Sequence, residues 1–431
     1  MNNKHIKREN NSTNIILILV IVIILGIITY KAVGIMNNKQ THTHNYSNIA
    51  LTENINQEIN ELKYKHNMVQ NNENANLIQQ GNDNSSLNSE KNDLFAEFYE
   101  QSENLLQTMT LEEKIGQMFL ARFPKSGVIE EIKNYSPGGY ILFERDFKNE
   151  TKSSILQKLQ ECQDASKIKL VLGVDEEGGT VVRVSAYKAF RSSKFLSPQQ
   201  IWAKGQLQAV LEDSTEKSNL LKSIGLNMNL TPVADIPTET SSYIYNRSYG
   251  RGVEETSIYV SQLIKTMNND GMISAMKHFP GYGDNVDTHT GIAIDERSYD
   301  IFESSDFLPF ISGIEAGSPC ILVSHNVVKS MDADKPASLS KNVHNILREK
   351  LNFSGIIITD DLAMDAVKEY VENGEAAVQA VLAGNDMIIS SDFTKQKQEI
   401  LNAVKQGKIS EEQIDKAVKR ILAWKYMYKI I

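Results

Sequence analysis

Cysteine is nearly absent. The two in 431 residues, Cys162 and Cys320, cannot build the disulfide framework that staples small secreted domains. Cys162 sits in a helix-like run and Cys320 opens the strand-like run Cys320-Ile321-Leu322-Val323, so both are expected to be buried, reduced thiols. Neither has a second cysteine nearby, and no zinc site is indicated. Basic runs are missing from the polar and globular parts. With a formal net charge of −9 and a pI near 5.5, a phosphate-contacting surface for nucleic acid is not expected. A mildly acidic surface suits a neutral or zwitterionic substrate. No cofactor is expected.

Two further absences concern the amino terminus. Residues 15–36 are an Ile/Leu/Val-rich run broken only by Lys31, long enough to span a bilayer core. No small-residue A-x-A cleavage site comes after it, and no cysteine there could carry a lipid. An uncleaved signal anchor is therefore expected. Lys4, Lys7 and Arg8 precede the run and would keep residues 1–14 in the cytoplasm, placing residues 37–431 on the outer side of the cell membrane. Residues 37–92 are rich in Asn, Gln, Ser and Glu and poor in large apolar residues. Such a tract cannot bury enough surface to offset the entropy of ordering, so a disordered stalk is expected.

Residues 93–431 have the apolar content that the stalk lacks. Hydrophobic residues make up 41% of the whole chain despite the stalk, leaving the remainder rich enough for a large core. Thr110-Leu111-Glu112-Glu113 has the form of a capping box opening a helix. Short apolar runs at 118–122, 139–143, 170–174, 229–234, 273–276, 321–324, 356–359 and 387–390 then read as strands. Helical patterns separate most of them, among them 154–166, 254–269, 339–351 and 366–383, and 394–428 would supply closing helices. Eight buried runs alternating with helices describe an α/β fold of the (β/α)8 TIM-barrel type.

In such barrels chemistry gathers where strands end. Here the residue past a strand is repeatedly ionisable: Asp175, Asp235, Lys277-His278, His325 and Asp360-Asp361. One of the Asp360-Asp361 pair is expected to cap the next helix, but two adjacent carboxylates exceed what a cap requires. A carboxylate on a rigid strand end suits attack on an anomeric carbon. Lys277 leaves a buried strand, and its ammonium needs carboxylates or sugar hydroxyls as partners. Pro280, Gly281 and Gly283 then break regular structure, and the loop carries Asp287 and His289 two positions apart. In extended backbone these two share a face, so the carboxylate could orient the imidazole for proton transfer. Asp175-Glu176-Glu177-Gly178-Gly179, with Arg183 eight residues after Asp175, resembles a ligand-gripping turn. The triple acid could instead chelate a divalent cation, which Lys277 and the arginines would oppose; no metal is expected. Arg247 stands in a loop after the fourth strand.

Together, Leu111-Glu112-Glu113-Lys114-Ile115-Gly116-Gln117-Met118, Asp175 to Gly179, Asn246-Arg247-Ser248-Tyr249-Gly250, Lys277-His278-Phe279-Pro280-Gly281, Asp287-Thr288-His289 and Thr359 to Met364 resemble family 3 glycoside hydrolases, in the β-N-acetylglucosaminidase branch. The resemblance implies that Asp360 is the nucleophile of a retaining mechanism and His289 the acid/base, with Asp287 its partner. It also implies that Asp175, Arg183, Arg247, Lys277 and His278 hold the sugar. Tyr282 departs from the histidine often found there, and the loop before Asp287 is about one residue shorter than in some relatives. The expected function is an exo-β-N-acetylglucosaminidase acting on cell-wall-type glycans or muropeptides. Rival readings are an exo-β-glycosidase of another sugar preference, such as a β-glucosidase or β-xylosidase, and an inert, surface-tethered glycan-binding protein. A neutralisable base also leaves room for phosphate in place of water.

Overall fold

The Thr110 hydroxyl accepts from Glu113 N, and the Glu113 carboxylate accepts from Thr110 N at 2.9 Å, so the capping box forms as the sequence predicts. It opens helix α1 (Leu111–Gln117), whose end feeds directly into strand β1 (Phe119–Arg122). In this computed structural model, residues 93–288, 291, 293–368, 370–371 and 375–431 are described, and all lie in one compact unit. The expected cytoplasmic tail, membrane-spanning run and stalk (1–14, 15–36 and 37–92) lie outside the described residues, as does His289. Among the described residues no helix is long and apolar enough to cross a membrane.

Seven further strands complete the set: β2 (Gly139–Leu142), β3 (Val171–Val174), β4 (Met228–Asn229), β5 (Ile273–Ser274, continued as Met276–Phe279), β6 (Cys320–Val323), β7 (Ile356–Thr359) and β8 (Ile388–Ser390). Every neighbouring pair is parallel. β8 pairs β1, and the order runs on through β2, β3 and β4 to β5. β5 pairs β6, β6 pairs β7, and a parallel bridge from Ile358 to Met387 returns to β8. The ring closes on eight strands. Closure leaves no edge to protect, and the strands can be continuously apolar because helices cover their outer faces.

Strand bounds match the apolar runs to within a residue or two, except at the end of β5, which runs three residues past Met276, and at β4. There the ladder is short, and contact with β5 resumes as a bridge from Val233 to Lys277. Helix α2 (Val253–Asn269) fits its predicted span. The single helix expected over 366–383 is divided into Asp365–Lys368 and Ala376–Ala383. Helices Phe393–Lys405 and Glu411–Met427 complete the outer layer. The longest helical stretch among the described residues, Pro198–Ser223, has no counterpart among the predicted helices; it carries a kink at Gly205 and Gln206. Cys162 and Cys320 are free and buried, as the apolar patterns around them require.

Candidate active site

The carboxyl ends of the strands surround a cavity of about 290 Å³. Asp175, Arg183, Arg247, Lys277, His278 and Asp360 all line it. Six of the eight side chains singled out in the sequence thus meet in one place, drawn from four strand ends and the loops attached to them.

The turn after β3 sets the geometry. Glu176, wholly buried, does not face the cavity. Its carboxylate accepts from Arg183 N and Val184 N at 2.7 Å each, from Ser185 N at 3.2 Å and from the Ser185 hydroxyl. It closes the loop on itself. Gly178 has φ +102°, and a Cβ there would stand 2.1 Å from Leu196 O, so only glycine fits. The closed loop returns Arg183 to Asp175, 4.0 Å apart. The sequence presents Glu176 only as one of three acids; its work is structural.

Glu177 is the hinge of the charged cluster. The Arg247 guanidinium forks onto it at 2.8 and 3.0 Å, and Lys277 Nζ reaches it at 2.6 Å and Asp175 at 2.7 Å. Burial alone would lift the Glu177 carboxyl; Arg247 and Lys277 outweigh it and hold it well below the usual carboxylate range. Lys277 is pushed down by burial, but Asp175 and Glu177 more than restore it, so it stays charged. A divalent cation on the triple acid has no room in this arrangement: of its three carboxylates, two are taken by Lys277 and Arg247 and the third by backbone amides.

His278 is set by a residue outside the cavity. Its Nδ1 lies 2.7 Å from Asp235 Oδ2, and Asp235 also accepts from Tyr282 N at 2.7 Å. A carboxylate acceptor there places the ring proton on Nδ1 and leaves Nε2 as acceptor, 3.3 Å from an Arg247 nitrogen. Asp235 thus orients His278 rather than facing a ligand.

Asp360 stands at the end of β7. Its Oδ1 accepts from Asp361 N at 2.8 Å, which fixes the rotation of the carboxylate. Asp361 caps no helix in the bonds it makes here, since the next helix begins only at Asp365; it holds the intervening turn, accepting from Ala363 N at 3.0 Å, Ser391 N at 3.1 Å and the Ser391 hydroxyl. Beneath them, buried His325 lies 2.6 Å from Ser338 Oγ and 3.1 Å from Asp361 O. Of the rim residues, Asp235 and His325 are supports.

The loop after β5 is held by Tyr282. Its hydroxyl accepts from Thr288 N at 2.9 Å and lies 3.1 Å from Val286 O and from Thr288 Oγ1. Asp287 is half-buried on this loop, where its charge raises the hydroxyls of Tyr243 and Tyr282, though burial dominates both. Asp287 is not one of the cavity's lining residues. Arg122, Phe143 and Tyr243 also line the cavity, though none stands among the residues singled out in the sequence. Arg122 and Phe143 conform to the strand-end rule once β1 and β2 are placed. The Tyr243 hydroxyl accepts from Arg247 at 3.2 Å, a contact only the folded loop creates.

Residues 110–424 match the family described as the glycosyl hydrolase family 3 N-terminal domain. A β-hexosaminidase of Nitrosomonas eutropha is 30% identical over 277 residues, covering 62% of this chain and 77% of that protein. β-Hexosaminidase A of Pseudoalteromonas piscicida is 28% identical over 68% of this chain, which spans 54% of its length. A solved family 3 β-N-acetylglucosaminidase from Paenibacillus sp. superposes with a TM-score of 0.70 at 28% identity, over 75% of this chain and 63% of that one. The chain belongs to glycoside hydrolase family 3, in the branch of these β-hexosaminidases, and is a glycosidase.

Proposed function

We propose that the chain is a retaining exo-β-N-acetylglucosaminidase that removes terminal β-linked N-acetylglucosamine from cell-wall-type glycans. The observation that carries this reading is Asp360, rotationally fixed at the end of β7, lining one cavity with the donors and acceptors of β3 to β5. Asp360 attacks the anomeric carbon while His289, oriented by Asp287, gives its proton to the departing glycosidic oxygen. The C–O bond breaks and a glycosyl ester forms on Asp360. The neutral imidazole then takes a proton from water, whose oxygen attacks the same carbon and frees Asp360. Asp175, Arg183, Arg247, Lys277 and His278 hold the sugar's hydroxyls. Kinship with β-hexosaminidases supports the sugar, and the Asp-Thr-His loop supports the acid/base.

Residues 15–36 anchor the enzyme in the cell membrane in this reading, with 37–92 as a stalk that presents the barrel outside. Protease added to intact cells is expected to release the barrel while leaving the tail; a barrel that resists digestion until lysis refutes the orientation.

The decisive assay compares nitrophenyl β-N-acetylglucosaminide with the β-glucoside, using the full chain. N-acetylglucosamine release with the β anomer appearing first by NMR is expected. An α anomer appearing first refutes retention, and glucoside preference refutes the sugar.

A further inference from the structure

Arg122 ends β1 and lines the cavity. Its guanidinium carbon lies 4.4 Å from the centroid of Phe143, and that of Arg183 lies 5.9 Å from the same ring. Two cations therefore lie close to one aromatic ring. The Nε atoms of both are buried without a hydrogen-bond partner.

The cavity's other cations are matched. Arg247 has Glu177, Lys277 has Asp175 and Glu177, and Arg183 has Asp175 at 4.0 Å. Asp361 is committed to Ser391 and Ala363. Among the described residues no carboxylate lies within 4.0 Å of Arg122, which is alone in this among the arginines and lysines lining the cavity. A partly desolvated guanidinium with an idle donor is costly, and a fork of charge-assisted hydrogen bonds to an oxyanion would relieve that cost. Terminal N-acetylglucosamine is uncharged, so the anion belongs to whatever else enters the cavity.

We infer that Arg122, with Arg183 near the same Phe143 ring, forms an oxyanion site for a negatively charged group brought in with the sugar. This rests on the glycosidase reading of the cavity. A carboxylate on the leaving group and inorganic phosphate in place of water share the required chemistry.

The test uses the full chain and two matched β-N-acetylglucosaminides, whose leaving groups are 3-hydroxybenzoate and 3-hydroxybenzamide. They differ in charge but hardly in size. The ratio of kcat/KM for the acid over the amide is expected to fall about tenfold in Arg122→Gln and to be largely retained in Arg122→Lys, since intrinsic leaving-group reactivity cancels between enzymes. If the ratio is unchanged but added phosphate accelerates sugar release in the parent and not in Arg122→Gln, the oxyanion is phosphate. If neither happens, the inference is overturned. Calorimetric titration with the corresponding thioglycosides separates this from failure of the proposed activity. Tighter binding of the acid that Arg122→Gln abolishes upholds the site in an enzyme that turns over neither glycoside. Equal binding of acid and amide, with no phosphate effect, removes it.

Discussion

Glu177 is approached by an arginine fork and an ammonium and is almost wholly buried. Removing its charge would leave Arg247 without a carboxylate and Lys277 with Asp175 alone, and leaving a buried charge without its partner costs about 3–5 kcal/mol. Glu177→Gln is therefore expected to lower the denaturant midpoint by that order and to weaken sugar binding, read as a raised KM. Because its carboxyl is held below its ordinary value in the folded state, the stability it contributes is present above the unfolded carboxylate range, near pH 4.3. That stability is lost as pH falls. Glu177→Gln should accordingly flatten the acid limb of a stability-against-pH curve. Asp235 acts differently, through the tautomer of His278. Asp235→Asn can present an amide hydrogen to Nδ1 and move the ring proton to Nε2, facing Arg247. A fall in kcat/KM of about a hundredfold or more with little change in thermal midpoint is expected, by analogy with other orienting carboxylates. If Asp235→Asn retains full activity, His278 is not set in this way.

At the scale of elements, the loop between β5 and the next helix depends on one tyrosine hydroxyl. Tyr282→Phe removes the acceptor of Thr288 N while keeping the ring in place. Because that loop delivers Asp287 and, in the proposed mechanism, His289, kcat should drop about tenfold with KM nearly unchanged, general acid–base catalysis being worth more than this in total. An unaltered kcat would show that the clamp is dispensable. The strands are legible in the sequence because each is an apolar run of four or five residues ended by a polar one. The β4 run reads too long because Thr231 and Pro232 continue the apolar pattern but leave the ladder. The division of 366–383 is hidden because Ala366, Val367 and Val371 keep a helical period across the break. Residue types at strand ends reveal Asp175, Lys277, His278 and Asp360. They cannot reveal which of them face the cavity: the support roles of Asp235 and His325 arise from partners 43 and 13 residues away.

The molecule as a whole divides its polar groups by face. Opposite the cavity, at the amino ends of the strands, Asp386 joins Arg348 and Arg420, and Lys425 Nζ donates to Gln117 Oε1 at 2.7 Å and to Lys169 O at 2.9 Å. These contacts tie the last helix, Glu411–Met427, to the barrel floor. Burial pushes Lys425 down to about 7. Between there and the ordinary lysine value near pH 10.4 the unfolded chain holds a proton that the folded chain does not, so stability rises as pH climbs through this window. Lys425→Met should abolish that rise, which thermal melts at pH 7 and pH 9 would detect; an equal gain in both proteins would show that the group titrates normally.

The pairing of Arg247, Lys277, Asp175 and Glu177 among themselves has a consequence for traffic through the site. An uncharged sugar entering it swaps hydrogen bonds without moving any net charge between protein and solvent. Capture and departure of such a ligand should therefore be nearly blind to ionic strength, leaving the departure rate to shape and to how readily water refills the vacated donors.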